Sequence, residues 1–266
     1  MRCESSARMK SDQIKIEIQN LTMAYGSRVV MSGITARVNH GSVFVIMGNS
    51  GSGKSTLLRH LIGLQRPADG DVLYDGKSFW EMDDDSRKVQ LRKYGVLFQS
   101  GALWSSMTLA ENVALPLIEY TDWSAADRDD IVRLKLALVG LSGFEDYYPA
   151  EISGGMRKRA GLARAMALDP EILFFDEPSA GLDPITSRNL DKLILELRDS
   201  LGATIVVVTH ELASIFMIAD DSIFLDADTK TMRVQGNPND LLNHSTDAKL
   251  RAFLTRGASL EGTATL

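Results

Sequence analysis

The sequence predicts an α/β fold in which a largely parallel sheet carries an inserted helical lobe. Three observations lead there. A buried strand, Val43 to Met47, runs through a glycine-rich turn into a helix at Ser55 to Leu64. Strand, helix and strand alternate again at Ile172 to Phe175, Thr186 to Ser200 and Thr204 to Val208, and between these two regions Gln99 to Leu168 reads as mostly helical.

The elements can be justified in order. Ile14, Ile16 and Ile18 alternate with Lys15, Glu17 and Gln19, the period of a half-buried strand. Leu57, Leu58, Leu61 and Ile62 recur at helical spacing, and Gly63 stands near the end of that helix. The acidic run Asp83 to Ser86 before Arg87 to Lys93 suits the first turn of a helix, where the dipole favours negative charge. Helices are expected at Ala110 to Leu117, Asp127 to Val139 and Gly155 to Leu168. A hairpin of Ile223 to Asp226 and Met232 to Gln235 turns at Asp228 to Lys230, and Pro238 opens a last helix through Leu242. One domain over 12–257 is expected, with core segments 12–98 and 169–243, helical lobe 99–168, and flexible ends at 1–11 and 258–266.

Composition narrows the function classes. With 266 residues, 44% of them apolar and 24% charged, the chain can bury a large core. A net charge of −6 argues against a nucleic-acid partner, because neutralising phosphates takes a basic face. The adjacent Arg157, Lys158 and Arg159 are read as a solvated helix face. Apolar runs fall well short of the roughly 20 residues that span a bilayer. Met1 to Lys10 lacks the apolar core of a secretory signal, and the single cysteine, Cys3, allows no intrachain disulfide.

The chemistry concentrates in one string. Gly48, Asn49, Ser50, Gly51, Ser52, Gly53, Lys54 and Ser55 match G-x-x-x-x-G-K-[ST], directly after a buried strand and opening a helix with Ser55 and Thr56. Glycines let backbone N–H groups and the helix N-terminus wrap phosphates, Lys54 adds a point charge at the β- and γ-phosphates, and Ser55 should hold magnesium. ATP with Mg2+ is the implied ligand pair. Downstream, the apolar strand Ile172 to Phe175 ends in Asp176, suited to supporting the metal. Glu177, one residue nearer solvent, could polarise an attacking water. The strand Thr204 to Val208 ends in Thr209 and His210, so His210 should reach the same sheet edge near the γ-phosphate.

Together these residues resemble the nucleotide-binding subunits of ABC transporters from about Ile14 to Leu254. Tyr25, Gln99, the segment Ile152-Ser153-Gly154-Gly155-Met156, Ser179 to Asp183 and His210 stand in that family's order. The resemblance implies a P-loop NTPase (RecA-like) core with an antiparallel β portion and a helical lobe. It implies that Tyr25 stacks on adenine, Gln99 senses magnesium and the attacking water, Glu177 is the general base and His210 orients the γ-phosphate. Asp183 joins the nucleotide-binding set. Ser153, Gly154 and Gly155 would bind the γ-phosphate held by a second copy, so one chain would contain half of each site. Ile152 and Met156 depart from the commonest signature, Leu and Gln, which removes a side-chain amide contact.

Val96 to Leu103, Met107, Glu111 to Ala114 and Pro116-Leu117 look like the Mla (MlaF-like) phospholipid-transport branch. That branch implies a homodimer on the cytoplasmic side of a bacterial inner membrane. Its implied partners are a permease (MlaE-like), an MCE lipid-binding protein (MlaD-like) and a small STAS-type subunit (MlaB-like). Leu103, Trp104 and Met107 are the candidate permease contacts. The alternatives are a soluble ABC-type regulatory ATPase, an ABC ATPase serving another solute and, most distant, a P-loop kinase.

Overall fold

The computed structural model describes residues 13–256. The readings of Cys3, the N-terminal stretch and the flexible ends concern residues outside that range. Among the described residues the strands are β1 (Ile14–Tyr25), β2 (Arg28–Asn39), β3 (Val43–Gly48), β4 (Asp69–Tyr74), β5 (Lys77–Ser78), β6 (Tyr94–Leu97), β7 (Ile172–Asp176), β8 (Thr204–Val208), β9 (Asp221–Asp226) and β10 (Thr231–Gly236). The helices are α1 (Lys54–Leu61), α2 (Asp84–Leu91), α3 (Leu109–Tyr120), α4 (Ala125–Leu138), α5 (Gly154–Ala165), α6 (Pro184–Leu201), α7 (Leu212–Ile218), α8 (Pro238–His244) and α9 (Ala248–Leu254). None of these helices is long and apolar enough to cross a membrane.

Two sheets form. One is six-stranded in the order β10-β9-β3-β8-β7-β6, parallel from β9 to β6 with β10 antiparallel at its edge; the other is an antiparallel sheet, β2-β1-β4-β5. The runs Val43 to Met47 of β3, Ile172 to Phe175 of β7 and Ile205 to Val208 of β8 are apolar throughout because both their faces are covered. Val43, Val45 and Met47 face a core shared with α3 to α7, whereas Phe44 and Ile46 face one shared with α1 and the antiparallel sheet. The same alternation holds at β7 and β8, as the period of a strand requires. Gln235 ties the two sheets, exchanging hydrogen bonds with the Arg37 backbone at 3.2 and 2.7 Å.

Between β6 and β7 the chain leaves the sheet for α3, α4 and α5. Leu109, Val113 and Leu117 recur every fourth residue on α3 and pack with Val132 and Leu136 of α4. A reciprocal Thr108–Glu111 capping box starts α3, at 3.2 and 2.7 Å. The fully buried Asn112 side chain reaches back to hold Trp104 and Met107 through their backbone, leaving the Trp104 ring 60% exposed.

Parallel direction positions everything that follows. Strands β3, β6, β7 and β8 all end at one edge of the sheet, which delivers Gly48, Gln99, Asp176 with Glu177, and Thr209 with His210 to a common crevice.

Candidate functional site

The crevice is a cavity of about 860 Å3 lined by Tyr25, Ser50 to Thr56, Gln99, Glu177 and His210. Its floor is the turn between β3 and α1. A Cβ on Gly48 would lie 2.6 Å from Leu225 O, so only glycine permits that path. Gly53 at φ +84 then launches α1 without a side-chain cap. The helices α2 to α6 are all capped, by Asp83, Thr108, Ser124, Ser153 and Asp183 respectively. The first-turn N–H groups of α1 thus have no such acceptor and face the cavity, the condition for binding an anion.

The charged groups around this cradle are restrained. Lys54 is 7% exposed and donates to Gly48 O at 2.9 Å and Asn49 O at 3.0 Å. Burial pulls its pKa down, against the attraction of Glu177 and Asp176. Ser55 donates to Asp176 Oδ1 at 2.9 Å, and burial holds Asp176 above the usual carboxylate range despite that bond. Among the described residues no group of three or more His, Cys, Asp or Glu could enclose a metal by itself. One hydroxyl and one carboxylate instead fit a hard cation that takes its other ligands from phosphate and water, as magnesium does.

Glu177 stands at φ +48, a backbone conformation that glycine favours. Its N–H donates to Val208 O at 2.8 Å, which locks the turn to β8. The carboxylate Oε1 lies 2.8 Å from His210 Nδ1, while Oε2 is buried with no hydrogen-bond partner among the described residues. This corrects one sequence expectation: Glu177 is buried and Asp176 is the more accessible of the two, because the left-handed turn folds Glu177 back under the His210 loop. Glu177 is thus the carboxylate that lines the cavity while keeping one oxygen without a protein donor among the described residues.

Tyr25 is half exposed at the outer wall. Arg59 donates to its hydroxyl at 3.2 Å, and the neighbouring Thr56 and Arg59 side chains hold the phenol below its ordinary pKa, so the ring face is what remains to be contacted. Sequence reasoning missed Arg28, Val29, Val30 and Met31 after it, and Ala227 and Lys230 in the β9–β10 turn, all of which line the cavity. A Ser32 N–H to Lys230 O bond of 3.0 Å brings the start of β2 and that turn together. The position of Arg28, three residues past Tyr25, is the only sequence signal for any of them.

Ser153, Gly154, Gly155 and Asp183 do not line this cavity. Ser153 is exposed and caps α5 by accepting from Met156 N at 3.2 Å, and Asp183 caps α6 by accepting from Ile185 N and Thr186 N. A second correction concerns Arg157, Lys158 and Arg159, which are not a solvated face. Arg157 donates to Ile152 O at 2.8 Å and Arg159 to Val139 O at 3.0 Å. Lys158 is 7% exposed and donates to Glu177 O and Ala180 O. Successive helical residues lie about 100° apart, so three in a row cannot share one face.

The family description "ABC transporter" matches residues 31–180, more than half of the chain. The chain is 42% identical over 241 residues to Mkl of Mycobacterium tuberculosis, described as a probable ribonucleotide transport ATP-binding protein. That match covers 91% of this chain, which spans only 66% of Mkl's length. It is 40% identical over 239 residues to the intermembrane phospholipid transport system ATP-binding protein MlaF of Escherichia coli K12, covering 90% of this chain and 88% of MlaF. Among solved structures it resembles the dimeric ABC transporter cassette MJ0796, with a TM-score of 0.76, 31% identity, and 84% and 98% of the two chains covered. The same cassette in a post-hydrolysis state with ADP and Pi gives a TM-score of 0.74 at 29% identity and equal coverage. The sequence motifs, the α/β core with its helical insertion and these matches agree: the chain belongs to the ABC transporter family, as an ATP-binding cassette similar to Mkl and MlaF.

Proposed function

We propose that the chain hydrolyses ATP with magnesium in a dimer of two copies, and that closing and reopening of this dimer drives a membrane permease that moves phospholipid. The observation that carries the hydrolytic part is the buried, unpartnered Oε2 of Glu177 beside the Ser55–Asp176 pair and the uncapped start of α1. In this reading the α1 N-terminus and Lys54 hold the β- and γ-phosphates, and Tyr25 covers the adenine. Ser55 and Asp176 would hold the magnesium ion, with Gln99 nearby, and the bound ion would neutralise charge on those phosphates. Glu177 Oε2 takes a proton from water as the water oxygen attacks the γ-phosphorus and the bond to the bridging oxygen breaks, giving ADP and phosphate. His210, held to Glu177 Oε1, keeps the carboxylate turned inward and contacts the γ-phosphate.

Ser153, Gly154 and Gly155 start a helix whose own N-terminal field meets no phosphate within the chain. The second copy is the natural source of one, and the relative MJ0796 is dimeric. Asp183 would lie along the same contact. The permease is proposed to dock at the exposed Trp104 and at the groove of about 610 Å3 bordered by Arg92, Pro116, Tyr120 and Arg164. An MlaE-like permease, an MlaD-like lipid-binding protein and an MlaB-like small subunit are the proposed partners, on the cytoplasmic side of an inner membrane. Phospholipid is favoured by the Val96 to Leu117 segment and the MlaF match. Mkl's description supports a second reading, with nucleotide as cargo.

Two experiments test this. Glu177→Gln should retain ATP binding and lose turnover by roughly 100-fold or more, as for removal of a general base; normal turnover would remove Glu177 from that role. Purification of the chain with its membrane partner, followed by identification of the bound molecule, should yield phospholipid. Recovery of nucleotide cargo, or of no membrane protein, would overturn the transport assignment.

A further inference from the structure

The basic run that begins α5 does something its sequence context conceals. Helix α5 is a continuous run of 12 residues, about 18 Å at 1.5 Å per residue. Its start is the Ser153-Gly154-Gly155 segment, and its flank grips two loops of the crevice. Lys158 Nζ donates to Glu177 O at 3.4 Å and, more closely, to Ala180 O. Six residues later Arg164 donates to Ala102 O at 2.8 Å and Gly101 O at 3.1 Å, three and two residues past Gln99. Between them a Cβ on Gly161 would lie 2.9 Å from Gly101 O, so helix and loop are in direct backbone contact.

The Lys158 contact falls on a special peptide. Glu177 occupies the left-handed region, which a non-glycine residue keeps only when its surroundings hold it there. Four links do so: the N–H to Val208 O at 2.8 Å, the Ala180 N–H to Glu177 O at 3.2 Å, the carboxylate to His210, and Lys158 on the carbonyl. The first and third tie Glu177 to the end of β8 and the loop after it, and the second is a turn within its own loop. Lys158 alone ties Glu177 to the helix whose start is proposed to meet the second copy's nucleotide.

We infer that Lys158 is a positioning residue that couples the two nucleotide sites of the dimer. Through it, a phosphate held at the start of α5 in one copy steadies Glu177 of that same copy, which serves the other nucleotide. The idea rests on the proposed two-copy site. Its physical content is that α5 moves as a unit, so a shift at Ser153 is delivered to the Glu177 carbonyl one turn along. Burial costs Lys158 part of its basicity, and two backbone carbonyls with the Glu177 charge nearby keep the ammonium in place.

The test compares Lys158→Met, which keeps the stem and removes the donors, with Lys158→Arg, which keeps a cationic donor. Lys158→Met should bind nucleotide within about two-fold of the parent, lose roughly ten-fold or more in kcat, and show hydrolysis that is no longer cooperative in ATP. Lys158→Arg should recover most of both. In the Glu177→Gln background Lys158→Met should cost nothing further, because its effect runs through Glu177. Unchanged kcat and cooperativity in Lys158→Met would overturn the inference. So would a full extra loss in the double variant, or a fall in kcat accompanied by equal losses of melting temperature and nucleotide affinity. If Glu177→Gln is inactive while Lys158→Met is normal, only this inference fails; if Glu177→Gln is itself normal, the base assignment fails with it.

Discussion

Helices α1 and α5 both begin at glycines, yet they are finished differently. Helix α1 starts at Gly53 with φ +84, without a side-chain cap and on the floor of a cavity. Helix α5 starts after Ser153, whose hydroxyl accepts from Met156 N, and it faces outward. An uncapped helix start is costly unless a ligand satisfies it, so α1 is built to be completed by an anion within its own chain. Helix α5 has its first-turn Met156 N–H satisfied by Ser153 and does not need an anion of its own chain. The difference between the two helices expresses the proposed split of one reaction over two molecules.

The largest expected effect attacks α1. Gly48→Ala puts a methyl 2.6 Å from the Leu225 carbonyl, a backbone atom that cannot rotate away, so the loop must leave its path. Nucleotide affinity and turnover should both fall by roughly 100-fold or more, read by nucleotide titration and phosphate release. Retained affinity would mean that the loop is not the cradle. Second in size is Ser153→Arg, which spares α1 and puts bulk and charge at the start of α5. Turnover should drop by roughly 100-fold while nucleotide affinity of the single copy stays within about three-fold, the signature of an interaction made outside the binding cavity. Parallel loss of both would erase the distinction between the two helices. The smallest is Tyr25→Ala, expected to weaken ATP about five-fold by removing one stacking face, with little change in kcat; an unchanged dissociation constant would place adenine elsewhere.

How much of this was legible depended on whether a single element carried the signal. Strands β3, β7 and β8 are continuous apolar runs because both faces are buried, and their ends named Lys54, Asp176, Glu177 and His210 directly. Strand β2 hid in a mixed stretch, although Ile34, Ala36 and Val38 alternate with Thr35, Arg37 and Asn39, and the two-residue β5 left no pattern at all. Helix α9 went unrecognised although Asp247 caps it. The burial of Glu177 depends on a left-handed turn held by β8 and α5, contacts that join residues far apart in sequence. Lys158 shows the same limit, since its neighbours on either side make entirely different contacts and only packing separates the three.

The split site is tested most directly by hydrolysis per molecule across a dilution series, with the oligomeric state measured at each concentration. Turnover per molecule should rise with concentration, level off once two copies associate, and approach zero where single copies prevail. Equal turnover by single copies and by the assembled pair would contradict the account.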